Sequence, residues 1–235
     1  MIPLRDANRI RRTPIVTPAL IAACFLVFGW ELFLVTQRGE DALNELALRW
    51  GLVPAQLLAA IGRGDWLSTD VLALVTSQFL HGGWLHILGN MLFLWIFGGR
   101  VEDRLGRLRF LAFYLAGGVV AGLVQVLVDP TSAVPMIGAS GAISAVLGAY
   151  LVLYPRARIQ SLVFLGFFYQ LIDVPAVLLL GFWLVIQVID GVAALGATDL
   201  TGGVAVFAHI GGFAAGAIMA LPFRARLPRR AAGPP

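Results

Sequence analysis

Ser140 sits in GASG (Gly138 to Gly141), inside the apolar run MIGASGAISAVLGAY from Met136 to Tyr150. A serine hydroxyl is a weak nucleophile and needs a base within hydrogen-bond reach to take its proton. Histidine suits that task because its ordinary pKa lies near neutrality. The chain has 3 histidines, His81, His86 and His209. His86 and Asn90 are four residues apart, so on a helix they share a face. A ring N–H and an amide NH2 aimed at one point stabilise the oxyanion that develops in acyl transfer. The backbone N–H of Ser140, near a helix start, adds a third donor. Ser140 with His209 as its base, and His86 with Asn90 as oxyanion donors, would make an acyl-transfer site. Each residue also has a plainer reading. A serine in a membrane helix ordinarily packs or bonds back to the preceding turn, and Ser144 looks like that. His86 and Asn90 can simply hydrogen-bond across helices.

Other chemistries fit less well. HGGWLH (His81 to His86) spaces its histidines i,i+5, off a common helical face, and no H-E-x-x-H is present. No metal or other cofactor is expected. Residue 142 is alanine, so there is no G-x-S-x-G elbow of the soluble hydrolases.

The elements that must hold these residues are apolar. Of 235 residues, 59% are hydrophobic and 13% charged, where an ordinary globular domain has about 25% charged. Mean hydropathy is +0.87. That composition describes a polytopic membrane domain embedded in a lipid bilayer, with no room for a sizeable soluble module. The basic excess is entirely arginine and reports topology rather than a nucleic-acid partner, and none is expected. Cys24 is the single cysteine, so no internal disulfide forms. The basic start MIPLR leads into an apolar run longer than a signal peptide with no A-x-A-like site, as expected of an uncleaved anchor.

Six spanning helices are expected at about 15–36, 83–99, 108–128, 137–154, 174–191 and 203–222. Residues 1–14 read as a basic N-terminal segment, 15–222 as the membrane domain and 223–235 as a short basic, disordered tail. The long first loop, about 37–82, contains two amphipathic pieces, Asp41 to Trp50 and Val53 to Ile61. They should lie on the membrane surface beside Trp50, Trp66 and Trp84. Ile159 to Ile172 is apolar but too short to span, and reads as interfacial or partly re-entrant. Arginines before helix 1 and after helices 2, 4 and 6 place both termini in the cytoplasm, with the loops of Asp129 and Asp199 outside. Depth follows at about 1.5 Å per residue: Ser140 and His86 about 5 Å below the outer face, His209 about 9 Å and Asn90 about 10 Å. Four polar residues on three helices thus share a level. Gly141, Ala145 and Gly148 on one helix, and Gly212 and Gly216 on another, let those two backbones approach closely.

Three segments, GASG, HGGWLHILGN (His81 to Asn90) and AHIGGFAAG (Ala208 to Gly216), resemble the rhomboid intramembrane serine proteases, over about residues 68–220. The resemblance implies an all-α, six-helix bundle with a long, partly helical first external loop. It implies an endopeptidase with a Ser140–His209 dyad, oxyanion stabilisation by His86 and Asn90, and His81 as a loop-shaping residue near the site mouth. It implies an E-x-R element at Glu102 and Arg104, read as a structural ion pair. Substrates of similar proteins are single-span membrane proteins cut near the outer face beside small residues. The fifth helix and the loop near 192–202 would act as gate and cap. Three departures from the family pattern involve four positions. Leu72 and Ala73 stand where many relatives have Trp-Arg, and Gly89 where many have Phe. Ser144 stands where some have a Tyr stacked on the histidine, and its hydroxyl is a candidate for orienting His209. A prokaryotic plasma membrane is the expected location, because no long N-terminal extension is present. The rival readings are an inactive rhomboid-like protein that binds or escorts membrane clients, and a small transporter with His as proton relay, kept open by Glu31 and Asp190.

Overall fold

In the computed structural model of the chain, the described residues are 2–6, 11–165, 168–195 and 205–224. Helix α1 is Val16–Arg38, followed in the first loop by α2 (Asp41–Trp50), α3 (Pro54–Gly62) and α4 (Thr69–Thr76). Helix α5 (Trp84–Phe93) continues through a π turn, Leu94–Gly98, into α6 (Gly99–Leu105). After the break at Gly106 come α7 (Arg107–Val128), α8 (Ser140–Leu153), α9 (Ala176–Leu195) and α10 (Val206–Arg224). Gly106 turns the chain at φ 84°, a conformation open to glycine at little cost.

Among the described residues, 5 helices are long and apolar enough to cross a membrane: α1, the continuous rod Trp84–Leu105, α7, α9 and α10. The sixth expected span, α8, has only 14 residues, a length of about 21 Å against a hydrocarbon core of about 30 Å. The expected start at residue 137 moves to Ser140. A short helix is tolerated here because α8 is the centre of the bundle. Every residue from Ala142 to Tyr150 is buried, so it meets protein rather than lipid. The connection from Asp129 to Ala139 is irregular backbone, exposed at Pro130 to Val134 apart from Ser132 and half-buried to buried from Pro135 to Ala139. It is held by a backbone bridge to the first loop, in which Leu52 and Met136 exchange N–H···O bonds of 2.9 and 2.8 Å.

Glycines set the closest approaches. A side chain at Gly212 would run into the Gly141 carbonyl, at Gly216 into that of Ala145, and at Gly148 into that of Phe213. The sequence expectation of touching α8 and α10 backbones holds. On its other side, Gly117 of α7 leaves no space for a side chain against Ala145.

The first loop carries both expected amphipathic helices and also α4, which the pattern did not announce. Ala73 is 1% exposed and packs with Leu52, Leu57 and Val126. The absent Trp-Arg pair is replaced as a brace by this cluster and by Thr76, whose hydroxyl donates to the Trp50 carbonyl at 2.7 Å. Gly89 faces open space, so the aromatic of relatives leaves no hole there.

The run 159–172, read as interfacial or partly re-entrant, forms two strands. Arg158–Leu165 (β2) and Phe168–Pro175 (β3) pair antiparallel, and Ile2–Asp6 (β1) joins the other edge of β2, giving the order β1-β2-β3. The run is rich in branched and aromatic residues, which favour strands. The otherwise helical bundle therefore carries a small sheet at its arginine-rich end. Asp6 fixes it there, accepting from Arg100 at 3.3 Å and from the Tyr150 hydroxyl at 2.5 Å.

Candidate active site

Ser140 opens α8 and His209 lies in the first turn of α10. Because glycines bring these helices together, His209 Nε2 comes to 2.8 Å from Ser140 Oγ, across 69 residues of sequence. The other ring nitrogen, Nδ1, lies 2.6 Å from the side-chain oxygen of Gln187 on α9. Trp183, one turn earlier on α9, flanks the imidazole with ring centroids 6.0 Å apart and planes inclined by 38°. His209 is buried and Ser140 half-buried.

Ser144 does not orient the histidine. Its hydroxyl donates to the Ser140 carbonyl at 2.7 Å, the ordinary back-bond of a helical serine. Gln187 was missed in the sequence because it has no charge and its partner is 22 residues away. Its signal was available, as an amide in the middle of AVLLLGFWLVIQVIDGV is costly in lipid.

His86 and Asn90 sit on the same face of α5, as their spacing requires. Gly138 lies directly against them: a side chain there would collide with His86 Nε2 and come within 3.7 Å of Asn90 Nδ2. Gly138 also has φ 122°, which side-chain-bearing residues rarely adopt. Its N–H donates to the Ser77 carbonyl at 2.8 Å. His86 Nδ1 accepts a long bond, 3.4 Å, from the Gly82 N–H, which leaves the proton of the neutral ring on Nε2. Asn90 Nδ2 is buried with no partner among the described residues. Two donors therefore face the backbone immediately before Ser140. A cavity of about 40 Å³ beside Ser140, lined also by Gln78, Gly118, Gly141 and Ala205, has room for water.

His81 is fully buried in the loop before α5, its ring edge-on to His86 at 5.1 Å. Burial, reinforced by the neighbouring His86, lowers its pKa to about 4. Its backbone N–H donates to the buried Glu31 carboxylate of α1 at 3.0 and 3.3 Å. Glu31 thus anchors this loop.

Glu102 and Arg104 do not pair with each other, which corrects the expected ion pair. Glu102 receives the N–H groups of Ile15, Val16 and Thr17 at 2.7 to 2.9 Å and the Thr17 hydroxyl at 2.7 Å, closing the N-terminus of α1. Arg104 donates to the Phe223 carbonyl at the C-terminal end of α10. A π turn carries an extra residue and so rotates the faces on either side of it. Above it His86 and Asn90 address α8, and below it Glu102 and Arg104 address the ends of α1 and α10. Among the described residues no cluster of His, Cys, Asp and Glu is placed to hold a metal ion. The expected cap near 192–202 lies mostly outside the described residues, as does the tail from 225.

The chain is 32% identical over 209 residues to "Rhomboid protease GluP" of Bacillus subtilis (strain 168), covering 89% of this chain and 36% of that protein. It is 35% identical over 129 residues to "Presenilin-associated rhomboid-like protein A, mitochondrial" of Danio rerio, covering 53% and 34%. It is 32% identical over 152 residues to "RHOMBOID-like protein 5" of Arabidopsis thaliana, covering 58% and 49%. The chain spans between about a third and a half of these relatives' lengths. A family model described as Rhomboid domain matches residues 68–226, a stretch that contains every candidate site residue above. This multi-pass membrane protein, with its serine and histidine brought together between α8 and α10, belongs to the rhomboid family.

Proposed function

We propose that the chain is an intramembrane serine endopeptidase that cuts single-span membrane proteins near the outer membrane face. The observation that carries the reading is the 2.8 Å contact between His209 Nε2 and Ser140 Oγ. That is hydrogen-bond distance for a base to take the hydroxyl proton. Ser140 Oγ attacks the scissile carbonyl as His209 Nε2 accepts its proton. The developing oxyanion is met by His86 Nε2–H, the Asn90 amide and the Ser140 backbone N–H. His209 then protonates the leaving amine, giving an acyl-enzyme and a free new N-terminus. Water entering the cavity beside Ser140 loses a proton to His209 and attacks the ester, and collapse of the second intermediate restores the hydroxyl. A helical substrate hides its peptide bonds in i→i−4 hydrogen bonds, so segments with Gly, Pro or polar residues near the cut unwind most easily.

The arginine distribution supports a plasma-membrane orientation with both termini cytoplasmic and the Ser140 end of α8 toward the outside. The test is reconstitution of the purified chain with a single-span substrate. Cleavage is expected from the wild type and none from Ser140→Ala or His209→Ala. Undiminished cleavage by Ser140→Ala overturns the assignment. A chain that binds such a substrate without cutting it, and stays unlabelled by a serine-directed fluorophosphonate, is a client-binding rhomboid-like protein instead.

A further inference from the structure

We infer that Gln187 is the positioning residue for the base: its side-chain oxygen accepts the Nδ1 proton of His209 and holds bare Nε2 against Ser140. This rests on the Ser140–His209 reading above and adds to it the element that aims the histidine.

The two ring nitrogens of His209 have one partner each, Ser140 Oγ at 2.8 Å and Gln187 Oε1 at 2.6 Å. A neutral imidazole carries one proton, and only the tautomer with Nδ1–H and unprotonated Nε2 can accept from a serine hydroxyl. An acceptor oxygen on Nδ1 selects that tautomer and also fixes the rotation of the ring. No other described side chain does this. The Ser144 hydroxyl is committed to the Ser140 carbonyl, and Glu31 to the His81 N–H. Asp190, the ionisable residue of α9, is exposed. His86 of α5 is the other titratable group at this site, a neutral ring turned toward Gly138. Gln187 supplies an acceptor without a charge, so it orients the ring without the electrostatic support that a carboxylate gives an imidazolium.

Both groups that fix the ring belong to one helix. Trp183 and Gln187 are four apart on the inner face of α9, the indole beside the imidazole and the amide at its Nδ1 edge. The rest of α9 turns Phe182, Val185, Ile186 and Ile189 outward. Displacing α9 outward therefore separates Gln187 from His209 and leaves Nδ1–H without its acceptor.

The test needs no known substrate. The rate at which a fluorophosphonate labels Ser140 in the purified full chain is followed against pH, with Ser140→Ala as the blank. Gln187→Leu, which keeps the bulk and removes the acceptor, should label about tenfold more slowly. Gln187→Glu keeps the acceptor and adds a negative charge. It should label at least as fast as wild type near neutrality, with the midpoint of the pH–rate profile moved to higher pH. A side chain that merely packs there would leave Gln187→Leu, which keeps the bulk, labelling at the wild-type rate, whereas the Gln187→Glu midpoint reports that residue 187 faces the ring. Wild-type labelling by Gln187→Leu, or an unmoved midpoint in Gln187→Glu, overturns the inference while leaving the dyad intact. If Gln187→Leu does not fold, Gln187→Met, which also keeps bulk and lacks the acceptor, takes its place with the same expected loss and the same overturning result. A wild type that takes no label, or a labelled Ser140→Ala, overturns the dyad and this inference with it.

Discussion

Asn90 has an amide donor buried with no partner among the described residues. An unpaired buried donor costs stability, and it persists where a charge arrives only during reaction. Asn90→Ala is thus expected to lower kcat on a reconstituted single-span substrate by about 10²- to 10³-fold. Its thermal midpoint should stay level or rise, and a large drop would assign the amide to structure. Gly138→Ala tests the same corner from the backbone. It places a methyl on His86 Nε2 at a φ that alanine resists, so labelling of Ser140 should fall even in folded protein. Ser140, His209, His86 and Asn90 were all legible in the sequence, because polar groups at one depth in apolar helices are conspicuous. What orients His209 was not. Spacing along α9 does not say which of its faces meets α10, and Ser144 was closer in sequence to Ser140.

Helix contacts were legible where small residues recur and illegible where a side chain reaches between helix ends. The G-x-x-x-G of Gly212 and Gly216 announced the α8–α10 contact. Gly216→Val should cost about 1–3 kcal/mol by forcing those backbones apart. The loss should appear as a lower unfolding midpoint in detergent together with slower labelling, since the same contact aims His209. Glu102 is the contrary case. The resemblance implied an ion pair with Arg104, but the open N–H groups at the α1 N-terminus hold the carboxylate, while the half-buried guanidinium donates to the Phe223 carbonyl. Glu102→Ala should lower stability by about 2–3 kcal/mol, with kcat per folded molecule little changed. The hairpin of β2 and β3 was obscured by a membrane context in which every apolar run invites a helical reading. Its length of 8 residues per strand and its aromatic and branched content were the better guide.

At the scale of the whole chain, orientation is open to a direct check. Cys24 is fully buried, so a cysteine introduced elsewhere is the one that reacts with an aqueous probe. With a membrane-impermeant maleimide on intact cells, Asp129→Cys is expected to label and Arg156→Cys to stay unlabelled until the membrane is opened. The reverse pattern would invert the topology. The separation of Ser140 from His209 by 69 residues also matters while the protein is being made. Synthesis at about 5–20 residues per second delivers α10 roughly 3 to 14 s after the serine. During that interval the nascent bundle holds a hydroxyl with no base, in a membrane crowded with other newly inserted helices. On the proposed reading, a chain assembled in this order cannot cut its neighbours until its last helix is in place. A ribosome-arrested chain ending before Val206 should accordingly refuse the fluorophosphonate that the finished protein accepts.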